Sequence, residues 1–177
     1  MVDLYQDPRR PEAAAVLSAL AGRTLGRVRA LAAETLSGDL EFAEVELTFE
    51  GGPTLVLGIG RAGAGGPADP ADIWIAPGAM THEADPANPW QPITLDAHPV
   101  WRPRLGSRVL VAQPVRGGDG FTASAPGLPS DAQPLTGVVF TFEDGRRVEV
   151  YDAGRCLHMV VLPDTPVVAG AASDPGR

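Results

Sequence analysis

Residues 45–57, VELTFEGGPTLVL, return without a gap as residues 138–150, VVFTFEDGRRVEV. Each copy reads as strand, tight turn, strand. Self-similarity on this scale constrains a fold more than any single element does, because a chain built twice from one unit buries two like faces in one core. In the first copy Val45, Leu47 and Phe49 fall on one side of a strand, and Glu44, Glu46, Thr48 and Glu50 on the other. In the second copy Val138, Phe140 and Phe142 point one way, followed by Val148 and Val150. Asp144-Gly145 is the dipeptide of a two-residue type I′ turn, and Gly51-Gly52 stands in its place in the first copy.

The likeness extends outward. Leu25-Gly26-Arg27-Val28 pairs with Leu105-Gly106-Ser107-Arg108-Val109 as leading strands. One further apolar run follows each hairpin, Ile73-Trp74-Ile75 in the first half and Leu157 to Leu162 in the second. The predicted organisation is one domain over residues 1–177, duplicated as about 23–80 and 104–165. A connecting segment, 81–103, carries Trp90, Trp101, His82 and His98 and is expected to lie across the sheet. Gly- and Pro-rich stretches at 61–70 and 116–133 read as loops, and about 168–177 as a disordered tail. Ahead of the first unit, Asp7-Pro8 reads as a helix start and Gly22 as a stop. Ala13, Val16, Leu17 and Leu20 share a face between them, which predicts a short helix over about 8–21. The fold class expected is mainly β: an antiparallel sandwich or half-open barrel of two pseudo-symmetric strand–hairpin–strand units with a short N-terminal helix.

Composition excludes several functions. Every cationic side chain is an arginine, a pattern that biased codon usage in a bacterial-type GC-rich genome produces, and the net charge is −8. An acidic chain repels phosphate backbones, so nucleic acid is not an expected partner and a basic protein is the better one. Cys156 is the single cysteine, so the chain can build neither a disulfide nor a thiolate zinc cage. Arg9-Arg10 before the run at 13–21 resembles an export signal only faintly, because the run is short, mostly alanine and preceded by Glu12. A soluble, cytoplasmic protein without membrane contact is expected.

Polar constellations are sparse. Asp96 and His98 share one side of an extended segment, and Cys156 and His158 have the same spacing. If their strands met, Asp96, His98 and His158 would be the metal ligands of a hydrolase. Polar residues at strand ends explain the same spacing, so no metal and no cofactor is expected. Cys156 beside Leu157 reads as a small buried hydrophobe rather than a nucleophile, and no catalytic residue is assigned. His82-Glu83 lacks the second histidine of a zinc-protease helix. The glycines at 58, 60, 63, 65 and 66 lack the GK[ST] ending of a phosphate loop. The acidic set Asp39, Glu41, Glu44, Glu46 and Glu50 is the most distinctive polar feature. The function expected is therefore a non-enzymatic protein-interaction module using Glu44, Glu46 and Glu50 on an acidic strand face. A small-ligand carrier with a pocket lined by Trp90, Trp101 and Phe140 is the alternative, ahead of the hydrolase.

Overall fold

The computed structural model describes residues 11–59, 73–81, 84–117, 135–154 and 156–163. The predicted helix start at Asp7-Pro8, the glycine-rich loop, His82-Glu83, most of the 116–133 loop and the tail lie outside these residues. The chain is mainly β, an antiparallel sheet curled into a half-barrel, with one short α-helix among the described residues, α1 (Pro11–Ser18). Its strands are β1 (Leu25–Glu34), β2 (Leu40–Phe49), β3 (Thr54–Ile59), β4 (Ile73–Pro77), β5 (Gln91–Thr94), β6 (Val109–Arg116), β7 (Leu135–Phe142), β8 (Arg147–Asp152) and β9 (Leu157–Leu162). The order across the sheet is β4-β3-β2-β9-β8-β7-β6, with β1 on the other side of β2 and β5 outside β1.

Alternation drives this arrangement. Val45, Leu47, Phe49, Leu55 and Leu57 from the first hairpin, and Val138, Phe140, Phe142, Val148 and Val150 from the second, all turn inward into one core. Phe49 and Phe142 are both buried there, together with Leu17 and Leu20 from and just beyond α1. β1 forms despite the helical propensity of its alanines, because Val28, Ala30 and Ala32 join that core and β2 pairs along its whole length.

The two meanders share register as well as pattern. Leu25 opposes Phe49 and Val109 opposes Phe142, and a bulge follows each pair. A second bulge follows Leu31 on β1 and Val115 on β6. Thr48 opposes Thr54 as Thr141 opposes Arg147, and Leu57 opposes Ile75 as Val150 opposes Met159. Where the halves meet, their hydrogen bonds exchange reciprocally. Leu25 N–H donates to Ser107 O and Val109 N–H to Arg23 O, at 3.0 and 2.8 Å. Gly22 N–H donates to Val109 O and Gly106 N–H to Leu25 O, at 2.7 and 2.8 Å. Both glycines have φ near +79°, a conformation that side chains resist. An antiparallel bridge joins Thr24 to Arg108 at the centre of this exchange.

Two local expectations are corrected. The leading strands align as Leu25 with Val109, four residues on from the sequence match, so Leu105-Gly106 is a turn and the counterpart of Ala21-Gly22. Each hairpin closes over three residues, not two: Phe142 N–H donates to Arg146 O and Gly145 N–H to Phe142 O, as Phe49 and Gly52 do with Pro53 and Phe49. The positive φ falls on Gly145 in the second turn and on Gly51 in the first. In the second hairpin the three-residue loop ends in this left-handed glycine, which suits the strand twist as well as a type I′ pair does.

Candidate functional site

Glu44, Glu46 and Glu50 do not form one solvent face. Glu50 is exposed and Glu44 half-buried, but Glu46 is 3% exposed. The reason is a strap. After β4 the chain folds back over the outside of the sheet, and Met80, Trp74 and Trp90 pack with Leu31, Val56 and Ala43 into a small second cluster. Glu46 lies in this covered zone. Its Oε2 accepts the Met80 N–H at 2.6 Å and its Oε1 faces Arg29 at 3.6 Å. A buried carboxylate needs such partners, and here they fasten the strap to β2. Alternation placed Glu46 on the outer face correctly, but it carries no information about what lies over that face.

The tryptophan pocket is likewise corrected. Trp101 and Phe140 are fully buried in the main core, ring edge to face at 6.4 Å, and the Trp101 indole N–H donates to Met159 Sδ at 2.8 Å. Trp90 belongs to the cluster on the opposite side of the sheet. The three rings therefore line no common cavity.

The metal-ligand candidates each have a local task. Asp96 Oδ1 accepts the Val28 N–H at 3.0 Å and so terminates the β5 pairing. His98 packs edge-on against Phe42 at 6.3 Å, its Nδ1 accepts the Val100 N–H at 3.3 Å, and burial lowers its pKa. His158 is exposed beside Tyr151, ring centroids 5.7 Å apart. Among the described residues no three His, Cys, Asp or Glu side chains gather closely enough to hold a metal ion. Cys156 is buried, and burial first, then Glu41 and Asp152, raise its thiol pKa, which disfavours the nucleophilic thiolate.

Glu149 is the second buried carboxylate, 3% exposed, with Oε1 set against the backbone of Gly137. Burial raises its pKa, so the folded chain holds this proton more tightly than the unfolded chain does. The resulting stabilisation is complete below the unfolded value, near ~4.3, and is lost as pH rises through the folded pKa. Glu149→Gln is expected to remove this loss. Denaturant titrations from acid to neutral pH should show a flatter profile for the variant than for the parent, and parallel profiles would refute the assignment.

Sequence reasoning missed the most exposed apolar feature among the described residues. The turn joining β1 to β2 presents Leu36 with 111% relative exposure, and Leu40 follows at 47%. This turn is tightly built. Thr35 N–H donates to Asp39 O at 2.8 Å, Gly38 N–H to Thr35 O at 3.0 Å and Asp39 N–H to Thr35 Oγ1 at 3.1 Å. Ser37 Oγ bonds Thr35 Oγ1 and donates to Asp39 Oδ2, both at 2.8 Å. Glu34, Asp39 and Glu41, close to the leucines in sequence, are exposed as well. The available signal was Leu36 standing between Thr35 and Ser37-Gly38, an apolar residue at a position where turn chemistry calls for none.

No helix among the described residues is long and apolar enough to cross a membrane. No family model, curated protein or solved structure matches the chain.

Proposed function

We propose that the chain is a non-enzymatic protein-interaction module of the cytoplasm, and that its contact point is the tip of the β1–β2 hairpin. The observation that carries this reading is Leu36, wholly exposed on a turn that its own side chains and backbone hold in shape. Such a side chain adds nothing to the core, and a preorganised knob binds without the ordering cost of a loose loop. Leu36 and Leu40, with exposed carboxylates at 34, 39 and 41 in the same hairpin end, fit a partner with an apolar pocket and a basic rim. The lone buried thiol suits a reducing compartment. The ligand-carrier and hydrolase readings lose their support, because Trp101 and Phe140 are core residues and Asp96 and His98 serve the backbone around them.

A photo-crosslinking residue at position 36, with one at exposed Ala153 as control, tests the reading in living cells. Position 36 is expected to give a discrete adduct and the control none. A Leu36→Ser, Leu40→Ser double variant should abolish association with the cross-linked partner while changing stability by less than about 1 kcal/mol. Equal labelling from both positions, or a partner that still binds the double variant, would remove the tip from consideration.

A further inference from the structure

The matched registers place the first bulges of β1 and β6 at the same point of the unit. Leu25 aligns with Val109, so Gly26-Arg27 aligns with Leu110-Val111. On the outer face the row Arg27–Thr48–Thr54 of the first half becomes Val111–Thr141–Arg147 in the second. A glycine and an arginine thus fill this place in one half, and the unit has no need of a leucine and a valine in the other. Both are nevertheless exposed, Leu110 by 47% and Val111 by 41%, with α1 packed against β6. A bulge re-aims side chains out of the regular pleat, and here it presents an apolar pair to solvent.

Among the described residues the exposed large hydrophobics are Leu36 and Leu40 at the hairpin tip, Leu110 and Val111 on β6, and Val161 on β9. The tip pair and the β6 pair keep opposite company. The tip has exposed Glu34, Asp39 and Glu41 in the same hairpin end. On β6, exposed Arg108 stands two residues before Leu110, and half-buried Arg147 shares the cross-strand row of Val111. Arg147 also donates to Pro163 O at 2.9 Å. The carboxylate near this pair is Glu143, whose Oε1 accepts the Arg108 backbone N–H at 3.2 Å.

We propose that the partner of the hairpin tip is a second copy of this chain, docked at Leu110 and Val111, an inference that rests on the tip being the contact point. Leu36 and Leu40 of one copy pack on Leu110 and Val111 of the other, and the tip carboxylates meet Arg108. One copy cannot make this contact with itself. β1 runs ten residues from the Thr24–Arg108 bridge to the tip, roughly 30 Å of strand, so the two surfaces lie at opposite ends of it. So small a contact gives weak association, with a dissociation constant between about 1 μM and 1 mM.

Sedimentation velocity of the full-length protein across that concentration range is the test. The mass of the parent is expected to rise with concentration. The Leu36→Ser, Leu40→Ser variant lacks the tip, and a Leu110→Gly, Val111→Arg variant copies the first half onto the second; each alone should stay monomeric. Mixed, they hold one intact tip and one intact β6 pair, and should form a heterodimer that grows no further. Arg108→Glu changes only an exposed side chain, serves where the β6 double variant loses its fold, and should weaken self-association at least about tenfold. A parent that stays monomeric, a folded double variant that associates like the parent, a mixture that forms no heterodimer, or an Arg108→Glu protein that associates unchanged would each overturn the proposal. A monomeric parent together with a position-36 adduct to a different protein would keep the tip as contact point and remove the second copy, whereas the lack of any discrete adduct from position 36 would remove both.

Discussion

Trp101→Ala is expected to lower the free energy of unfolding by about 3–5 kcal/mol. The indole is fully buried, contacts Phe140 edge to face, and satisfies its one donor on Met159. Its backbone carbonyl also accepts the Arg104 and Leu105 N–H groups at 2.7 and 3.2 Å, so the residue anchors the turn leading into β6. Alanine would leave a cavity between both hairpins that a curled sheet, pinned at its ends, cannot collapse to fill. Denaturant midpoints with an unchanged slope would measure the effect. A loss below about 1 kcal/mol would mean that the indole does not fill the core. Trp90→Ala should cost less, because that ring is only half-buried in the small outer cluster.

Arg104→Leu is expected to act in the opposite direction, stabilising the protein by about 1–4 kcal/mol. Arg104 is 2% exposed, and its Nε has no hydrogen-bond partner. One terminal nitrogen bonds Pro103 O at 3.2 Å and lies 3.5 Å from Asp144, whose side chain is 40% exposed and solvated. The guanidinium also sits 6.0 Å from the Phe142 ring centre. These contacts offset only part of the cost of taking a cation out of water. The molecule supplies its own comparison. Arg104 N–H follows Trp101 O and precedes the Ser107 turn just as Leu20 follows Leu17 O and precedes Arg23, and Leu20 is fully buried. A leucine therefore suits this place in the unit. Arg104→Ala is the contrast, since it removes the charge but leaves a void. If Arg104→Leu destabilises the chain, the guanidinium is satisfied in solution and the argument fails.

Where a side-chain pattern alone decides the outcome, the fold was legible. The alternation at residues 45–57 and 138–150 became β2–β3 and β7–β8, and the apolar runs at 73–75 and 157–162 became β4 and β9. The leading strands were legible in kind but not in register. The shared Leu-Gly dipeptides belong to different structures, Leu25-Gly26 within a strand and Leu105-Gly106 in a turn, and hydrogen-bond reciprocity sets the true correspondence. β5 escaped notice because Gln91-Pro92-Ile93-Thr94 has neither alternation nor length; it exists because the edge of β1 is there to receive it. The candidate sites fared worse for one physical reason. Periodicity tells which side of a strand a residue faces, and both sides of this sheet are covered over part of their area. Glu46 is buried beneath the strap and Trp90 half-buried within it. Leu36 stood in a turn too short for any periodicity to register.

The indole of Trp74 on β4 lies flat over Gly58 of β3, its N–H donating to Ile59 O at 3.1 Å. A methyl group on Gly58 would come within 2.1 Å of the ring. The corresponding cross-strand pair on β8 and β9 is Tyr151 with His158, where two medium rings share the space that one large ring takes over a glycine. The two pairs are alternative fillings of the same notch, and neither converts into the other by a single replacement. A side chain at 58 with the indole still present has nowhere to go, and a smaller ring at 74 above a bare glycine leaves backbone uncovered. Change at these positions must come in pairs, so each couple drifts through sequence space as one heritable unit.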